Sequence, residues 1–422
     1  MTADTTRTTI RVMADVLPTQ VINTRERGIG RYTSGIVHAL LQQPARDEFH
    51  VLVGNANLPL PRPIPSGAET PHISFFGDYA LGRFRADEWP ASVPGHAAYW
   101  RRQIERFAPH VFHIHNPFEW QTPPHSRYPR IATVVTVYDL IPLRLPEYYL
   151  HSAPEWLRGA YAHACSLVQH ADHIIAISEC TREDLIELLH IEPDRIAVAY
   201  PGPGEHFGRI PDPATVSRVR QRFGLAGGFV LSNSGFDPRK NLSRLLKAYA
   251  GLSVSLRREY PLVLVCRVDR EQEKRLRDEA RAYGISDRVI VTNFLSDEDL
   301  AALYHLATVQ FFPSLYEGFG LPIIDSLLAG LPVVASRASA MPEIGADAVI
   351  LADPLDVDAL ADALSRVLRD EGLQAALRQS GHSRAAAFSW EHSASVVRGV
   401  YRRLAGAPEK CAPDELSVRA AS

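Results

Sequence analysis

The sequence has few cysteines and no long apolar run, and both absences exclude classes of protein. Its cysteines form no CxxC pair, which argues against a zinc site or a disulfide framework and suits a reducing cytosol. No apolar run reaches the roughly 20 residues that span a bilayer, and MTADTTRTTI at the start contains no apolar signal core. We therefore expect a soluble, cytoplasmic protein, attached at most to a membrane surface. The four cysteines are Cys165, Cys180, Cys266 and Cys411.

The chain also lacks a strong excess of either charge. A formal net charge of −3 gives no case for nucleic acid binding. The 17 histidines form no HxxxH pattern, so a metal site is unsupported. One small basic cluster, Arg101, Arg102 and Arg106, lies near Trp100 and Phe107. A solvated helix face is its ordinary interpretation, and contact with an anionic membrane is the alternative.

Strand and helix patterns alternate along the chain, which favours an α/β protein with parallel sheets. A chain of 422 residues exceeds one ordinary core, so two domains are expected. The alternation restarts after RIAVAYPGPG (195–204), where a strand ends in a Pro/Gly cluster that we interpret as the linker. Besides that strand, the predicted strands are TIRVMADV (9–16), HVFHIH (110–115), IATVVTVYD (131–139), HIIAIS (173–178), GFVLSNSG (228–235), LVLVCRV (262–268), RVIVTNF (288–294), VQFFPS (309–314) and LPVVAS (331–336).

This organisation predicts a first domain over 1–203, a second over 204–387 and a terminal segment over 388–422. We expect the domains to face each other across a cleft, because the carboxyl ends of parallel strands open onto such clefts. In the terminal segment, FSWEHSASVVRGVYRRLAG (388–406) predicts a helix with Ser389 as its N-cap.

The segment YEGFGLPIID (316–325) predicts an anion site at the start of a helix. Pro322 suits a first helical turn, and glycines let the backbone approach a ligand closely. Free amides and the positive end of the helix dipole attract a phosphate. Two acids, Glu317 and Asp325, flank this site, and carboxylates repel phosphate. Sugar or ribose diols are better partners for them, although a dipole partner and a surface charge are the plainer interpretation.

A second segment, SNSGFDPRKN (232–241), follows the first strand of the second half and opens a helix. It places Arg239 and Lys240 at the carboxyl edge of that sheet. Two adjacent cations there are suited to a diphosphate and to the charge that builds on a leaving group. The alternative, two solvated charges at a helix start, would oppose the helix dipole.

A third segment, RERGIGRYT (25–33), is a candidate anion loop ahead of a helix near 30–43. It is not a GxGxxG fingerprint, because Gly28 and Gly30 are followed by Arg31, Tyr32 and Thr33. It also starts about ten residues after its strand, whereas a dinucleotide turn follows its strand at once. Both features count against a dehydrogenase.

Six motifs in order resemble the family 4 glycosyltransferases, which have the GT-B fold of two Rossmann-like α/β domains with parallel sheets facing a central cleft. The resemblance covers about residues 9–405. Within the family the chain looks most like bacterial enzymes that build surface polysaccharides, many of them mannosyltransferases. The motifs are GIGRYT, VYDLIPL, DPRKN, EGFGLPIID, ASAMPEIG and FSWEHSA.

The resemblance implies transfer of a sugar from a nucleoside diphosphate donor with retention at the anomeric carbon, and no metal or other cofactor. GDP-mannose is the leading donor on family likeness alone, while UDP-hexose, GDP-fucose and dTDP-rhamnose stay open. The implied acceptor is a glycan, for which a lipid-linked glycan at the inner membrane is our best candidate. Front-face displacement is the implied mechanism, in which the leaving phosphate helps to deprotonate the acceptor hydroxyl.

The resemblance also implies roles for particular residues. Glu317 would bind the transferred sugar at the reaction centre, and Asp325 would bind the ribose diol. Arg239 and Lys240 would bind the diphosphate. The terminal helix would brace the first domain. Further donor contacts are implied for Gly28, Gly30, Ser234, Gly235, Asn293, Phe294, Gly318, Phe319, Gly320 and Leu321.

Three positions depart from the family pattern. The second acid of the usual E-x7-E motif is Asp325, one methylene shorter. Many members carry His where this chain has Tyr138, so Tyr138, Asp139 or His115 is expected to substitute, although His115 also fits a satisfied strand-end histidine. Ser234 stands where some members have an extra arginine.

Other function classes share this architecture. A sugar-nucleotide-binding module that has lost transfer is the main alternative, motivated by Asp325 and Tyr138. An epimerase or phosphorylase would use the same cleft, but the cofactor lysine motif of a phosphorylase is not found.

Overall fold

A computed structural model of the chain describes residues 9–19, 28–43, 47–53, 72–75, 102, 104–118, 131–293 and 295–406. Two parallel β-sheets, one in each half of the chain, organise the described residues. The predicted α/β class with parallel sheets is therefore confirmed.

The first sheet has seven parallel strands in the order β3-β2-β1-β4-β5-β6-β7. Strand β1, the third in this order, pairs with both β2 and β4, so the winding direction reverses between β1 and β4. Ligands of open α/β sheets bind at such switch points. The strands are β1 (Arg11–Asp15), β2 (Glu48–Val53), β3 (His72–Phe75), β4 (Val111–Ile114), β5 (Ala132–Val137), β6 (His173–Ala176) and β7 (Ile196–Val198).

The second sheet repeats this winding with six parallel strands in the order β10-β9-β8-β11-β12-β13. Its central strand β8 pairs with β9 and β11, which places a second switch point between β8 and β11. The strands are β8 (Val230–Asn233), β9 (Leu262–Val265), β10 (Val289–Val291), β11 (Val309–Phe312), β12 (Val333–Ser336) and β13 (Ile350–Ala352).

Helices connect the strands and cover the sheets. Short 3₁₀ turns lie at Leu17–Thr19, Pro193–Arg195, Glu205–Gly208, Pro238–Lys240 and Ala346–Ala348, and residues 104–107 are also helical. The α-helices are α1 (Gly28–Gln42), α2 (Ile141–Arg144), α3 (Pro146–Tyr149), α4 (Glu155–His170), α5 (Glu179–Leu189), α6 (Pro213–Phe223), α7 (Leu242–Gly251), α8 (Val254–Glu259), α9 (Arg270–Ala282), α10 (Asp297–Leu306), α11 (Leu321–Leu328), α12 (Met341–Gly345), α13 (Val357–Arg369), α14 (Glu371–Ala385) and α15 (Trp390–Leu404).

The ten predicted strands are all present, each within or overlapping its apolar segment. Strands such as VFHI in β4 and VQFF in β11 are buried along their whole length, as parallel strands covered on both faces are. The sequence analysis missed β2, β3 and β13.

The terminal helix α15 packs on α1 of the first half. Ser389 caps it by accepting a hydrogen bond from the His392 amide at 3.0 Å, as predicted. Arg398 Nη2 donates to the Leu40 carbonyl at 2.6 Å. The Trp390 ring lies so close to Gly35 that a Cβ there would be 2.6 Å from it. The expected return of this helix to the first half is therefore observed, while the domain limits stay a prediction.

No helix in the described ranges is long and apolar enough to cross a membrane.

Candidate active site

Polar residues follow the central strands of both sheets, and His115, Ser234 and Glu317 among them were singled out from the sequence. Asp15 ends β1 and His115 follows β4, at the first switch point. Ser234 follows β8 and Glu317 follows β11, at the second. The two edges meet, because a Cβ on Gly318 would lie 2.1 Å from the Tyr138 carbonyl oxygen. The candidate site is the junction of these edges.

Glu317 is buried between two cations. Arg239 Nη1 lies 2.5 Å from its Oε2, and Lys240 Nζ lies 2.6 Å from its Oε1. The carboxylate residue is 7% exposed. Burial alone would raise the pKa of Glu317, but the Arg239 and Lys240 charges lower it to about 2. The group is therefore an anion at neutral pH, and Asp237 places a second carboxylate 3.7 Å from Arg239 Nε.

The DPRK segment presents both cations from a capped 3₁₀ turn. The Asp237 side chain accepts a hydrogen bond from the Arg239 amide at 3.1 Å, and Tyr149 of the first half donates to the same oxygen at 2.5 Å. The Arg239 carbonyl in turn accepts from the Leu315 amide at 2.7 Å. The turn is thus fixed both to the other half of the chain and to the loop that carries Glu317.

The backbone from Gly318 to Leu321 opens α11. Gly320 has a φ of +106°, a conformation that favours glycine, and Leu321 begins the helix with Pro322 in its first turn. The predicted helix start is confirmed. Ser178 Oγ of the first half donates to the Gly318 carbonyl at 2.6 Å. Since Gly318 also touches Tyr138, a larger residue at 318 would force the two edges apart.

Asp325 is also buried and paired, but its cation comes from the other half of the chain. Arg31 of α1 donates from Nη1 to Oδ2 at 2.8 Å and from Nη2 to Oδ1 at 3.0 Å. The Gly204 amide donates to Oδ1 at 3.0 Å. Asp325 is 1% exposed. The ribose contact of Asp325 stays a prediction. In this structure both oxygens of its carboxylate accept hydrogen bonds from Arg31.

The glycines of GIGRYT do not lie in a loop as expected. Helix α1 begins at Gly28, so Gly28 and Gly30 form its first turn. A Cβ on Gly28 would be 3.2 Å from Leu321 Cδ1, which brings the start of α1 against the start of α11. The loop placement of Gly28 and Gly30 was therefore wrong, residues 25–27 lie outside the described residues, and the anion contact stays a prediction.

His115 is fully buried at the end of β4. Its Nδ1 lies 2.7 Å from the Asp15 carbonyl oxygen and therefore donates the proton, while its amide donates to Asp15 Oδ2 at 2.9 Å. Its Nε2 has no hydrogen-bond partner among the described residues. Burial lowers the pKa of His115 to about 4, so the ring is neutral at pH 7.

Tyr138 and Asp139 differ in what they present to the junction. The Tyr138 hydroxyl lies 2.9 Å from Thr33 Oγ1, and the residue is 5% exposed. Asp139 is partly exposed and accepts from the Ile141 amide at 3.1 Å. Burial raises the pKa of Asp139, against the lowering effect of Arg239. Which of these side chains replaces the family's histidine stays a prediction.

The remaining donor candidates line the edge of the second sheet. Ser234 is buried and donates its amide to the Val265 carbonyl at 3.0 Å. A Cβ on Gly235 would meet no atom within 4 Å, so the backbone there is open to a ligand. Asn293 has a φ of +60°, and its Oδ1 accepts from the Val268 amide at 3.3 Å. Phe294 lies outside the described residues.

Two further contacts across the junction were not predicted. Tyr316 donates its hydroxyl to Asp184 of α5 at 2.6 Å. Glu343, in the ASAMPEIG motif, accepts the amides of Glu179 and Cys180 at 2.7 and 3.0 Å. Their partners are more than 130 residues away in the chain, so no local pattern could reveal them. In the part of the chain that the structure describes, no group of three or more His, Cys, Asp or Glu side chains could hold a metal ion.

Two family comparisons match most of the chain. Residues 27–203 match the family described as Glycosyltransferase Family 4. Residues 218–384 match the family described as glycosyl transferases group 1. The boundary between the two matches falls between β7 and β8.

Two similar proteins are from Escherichia coli. The serotype-specific mannosyltransferase WbdA is 34% identical over 291 residues, which are 68% of this chain and 36% of the relative. The O-antigen chain mannosyltransferase B is 31% identical over 275 residues, which are 64% of this chain and 70% of the relative. The matched region thus spans about a third of WbdA, but most of the second relative.

Solved structures share the fold. Sucrose-phosphate synthase from Thermosynechococcus elongatus superimposes with a TM-score of 0.73 at 20% identity, covering 94% of this chain and 99% of that one. This similarity supports the GT-B architecture of two facing α/β domains.

Proposed function

The chain belongs to glycosyltransferase family 4, and from this premise we propose that it transfers a hexose from a nucleoside diphosphate sugar to a glycan acceptor. The observation that carries the proposal is the placement of Glu317 between Arg239 and Lys240 at the junction of the two sheets. Two cations beside a helix start are suited to a diphosphate once Glu317 releases them.

In the proposed complex, Arg239 and Lys240 turn from Glu317 to the donor diphosphate. The amides at the start of α11 add further donors to the phosphate and sugar. Glu317, released from its two cations, then accepts hydrogen bonds from hydroxyls of the transferred sugar. These three groups therefore exchange partners within one site when the donor binds.

We propose front-face transfer with retention and without a metal or other cofactor. The bond from the anomeric carbon to the leaving phosphate oxygen breaks, and a bond to the acceptor oxygen forms on the same face. The acceptor proton passes to the leaving phosphate. Arg239 and Lys240 stabilise the charge that grows on that phosphate, and closure of the two halves excludes water.

GDP-mannose is the proposed donor, because both curated relatives described above are named mannosyltransferases. The proposed acceptor is a lipid-linked glycan of a bacterial surface polysaccharide, such as O-antigen, capsule or exopolysaccharide. UDP-hexose, GDP-fucose and dTDP-rhamnose are the alternative donors.

A peripheral contact with the inner membrane is proposed with this acceptor. Arg102 and Arg106 of the basic cluster are exposed, whereas Trp100 and Arg101 lie outside the described residues. Exposed cations of this kind suit an anionic lipid surface.

A binding module without transfer is the second candidate, favoured by one observation. The acid expected to meet the ribose, Asp325, is engaged by Arg31. Such a module would bind a nucleotide tightly without consuming the sugar donor.

A donor panel separates the two candidates. The protein is incubated with GDP-mannose, UDP-glucose, GDP-fucose and dTDP-rhamnose, and release of the nucleotide is followed with and without a mannosylated acceptor. Transfer, or slow hydrolysis of one donor, supports the enzyme. Tight nucleotide binding with no turnover of any donor would contradict it and support the module.

A further inference from the structure

The Arg31–Asp325 ion pair is arranged with its cation outward. Two hydrogen bonds join the groups, at 2.8 and 3.0 Å. The Arg31 side chain is 31% exposed, whereas the Asp325 side chain is 2% exposed. Arg31 is therefore the more accessible member of the pair.

Asp325 is nearly saturated from within the protein. Oδ1 accepts from both Arg31 and the Gly204 amide, and Oδ2 accepts from Arg31. Arg31 keeps donors to spare, since a guanidinium carries five N–H groups and the pair uses two. Its charge also lies 5.7 Å from the Phe207 ring centroid, which helps to hold the group in place. The free hydrogen-bonding capacity of the pair thus belongs mainly to Arg31.

The position of Arg31 in its helix is unfavourable in free energy unless an anion lies beside it. It is the fourth residue of α1, in the first turn, where the helix dipole disfavours a cation. The start of α1 also faces the start of α11, as the contact between Gly28 and Leu321 shows. Two positive helix ends and an arginine therefore converge on one place, where the buried Asp325 carboxylate and, more weakly, Asp297 offset them. An anionic ligand would complete the balance of charge.

We propose that Arg31, held by Asp325, is the residue that contacts the ribose–phosphate part of the nucleotide, and that Asp325 acts as its positioning residue. This arrangement explains why the second acid is an aspartate, Asp325. An aspartate leaves space for a guanidinium in front of it, where a glutamate would itself reach further toward the ligand. This inference rests on the proposed function, since it assigns a further contact to the same nucleotide.

The test measures affinities for GDP and UDP by isothermal titration calorimetry. The variants are Arg31→Met, Asp325→Asn and the double variant Arg31→Met/Asp325→Asn. The double variant removes both charges, which avoids the unpaired buried carboxylate that the single Arg31 variant leaves. A matched control is Arg218→Met/Asp299→Asn, another Arg–Asp pair between helices, 2.6 Å apart and outside the junction. Thermal unfolding reports whether each variant is folded.

We expect Arg31→Met to weaken binding of the nucleotide by roughly tenfold to a hundredfold, as loss of a charge-assisted hydrogen bond does. The double variant should bind as weakly as Arg31→Met, because Asp325 acts only through Arg31. The control pair should leave the affinity unchanged.

Two results would overturn the inference while leaving the function intact. One is wild-type affinity in a folded double variant. The other is a clear further loss when Asp325→Asn is added to Arg31→Met, which would show that Asp325 contacts the nucleotide directly. Failure of the wild-type protein to bind either nucleotide would instead contradict the proposed function, and the inference with it.

Discussion

Glu317 and Asp325 lie eight residues apart, both buried and both paired with cations, yet their partners come from different halves of the chain. Arg239 and Lys240, which pair with Glu317, follow the first strand of the same sheet. Arg31, which pairs with Asp325, belongs to the first helix of the other half. The Glu317 pairing therefore forms within one half of the chain, although Tyr149 of the other half contacts the turn that carries its cations. The Asp325 pairing exists only while α1 lies against α11.

This difference indicates that Glu317 and Asp325 have different roles, although both belong to the segment 316–325. Glu317 and its cations form a self-contained charge cluster that is suited to the diphosphate and the sugar. Asp325 and Arg31 link the two halves beside it. The loop around Glu317 is also held from the first half, by Ser178 at Gly318 and by Asp184 at Tyr316. Substitutions in the two clusters should consequently affect different measurements.

The largest effect is expected for Glu317→Gln. The amide keeps the size of the side chain but loses the anion, so stabilisation of the sugar in the transition state is lost. We expect turnover of GDP-mannose to fall by about a hundredfold or more. Glu273→Gln, in an exposed ion pair with Arg277, is the control and should keep normal turnover. Near-normal turnover of Glu317→Gln would remove Glu317 from the reaction centre.

A smaller effect is expected for Lys240→Ala, and on binding. Because Lys240 is proposed to meet the diphosphate, affinity for GDP should fall by about tenfold, while affinity for guanosine stays the same. Calorimetry with both ligands provides the measurement. Lys247→Ala, at an exposed position of α7, is the matched control. An equal loss for GDP and guanosine would argue against a phosphate contact.

Stability should also respond to acid through Glu317. Its pKa is lowered to about 2 in the folded protein, so the carboxylate contributes stability that is complete above its ordinary pKa near 4.5 and is lost as the pH falls toward 2. Between pH 5 and pH 3.5 the unfolding free energy of wild type should drop about 1 kcal/mol more than that of Glu317→Gln. Urea unfolding at both pH values measures the difference, and parallel curves for the two proteins would contradict the assignment.

The smallest effect is expected for Tyr316→Phe. The substitution removes the hydrogen bond to Asp184, whose other oxygen keeps Arg144 at 2.6 Å. We expect a loss of about 1 kcal/mol or less in unfolding free energy and unchanged affinity for GDP. Tyr283→Phe, at the end of α9, is the control. A large loss of GDP affinity in Tyr316→Phe would mean that nucleotide binding depends on the hydrogen bonds between the two halves.

Much of this molecule could be predicted from its sequence, because the signals are local. Buried parallel strands are short apolar runs, and ten of them were recognised. Ser389 and Pro322 marked helix starts through their ordinary capping and φ preferences. Arg239 and Lys240 are neighbours in the chain and both follow β8. Recognising that one strand was therefore enough to place both cations at the edge of the sheet.

What could not be predicted depends on partners far apart in the chain. The contact of Arg31 with Asp325 joins residues separated by 294 positions. Glu343 and Tyr316 likewise find their partners across the junction. Gly28 and Gly30 were assigned to a loop, yet they form the first turn of α1, where a Cβ on Gly28 would lie 3.2 Å from Leu321 Cδ1. The position of Arg31 directly after the GIG segment was the one sequence feature that could have indicated it as a site residue.

The central claim is that Arg239 and Lys240 hold the diphosphate while Glu317 acts on the sugar. Calorimetric titration of Glu317→Gln with GDP tests it most directly, because this ligand has the diphosphate but no sugar. The account predicts an affinity equal to or tighter than that of wild type, since the substitution releases both cations. A loss of GDP affinity as large as that of Lys240→Ala would contradict it.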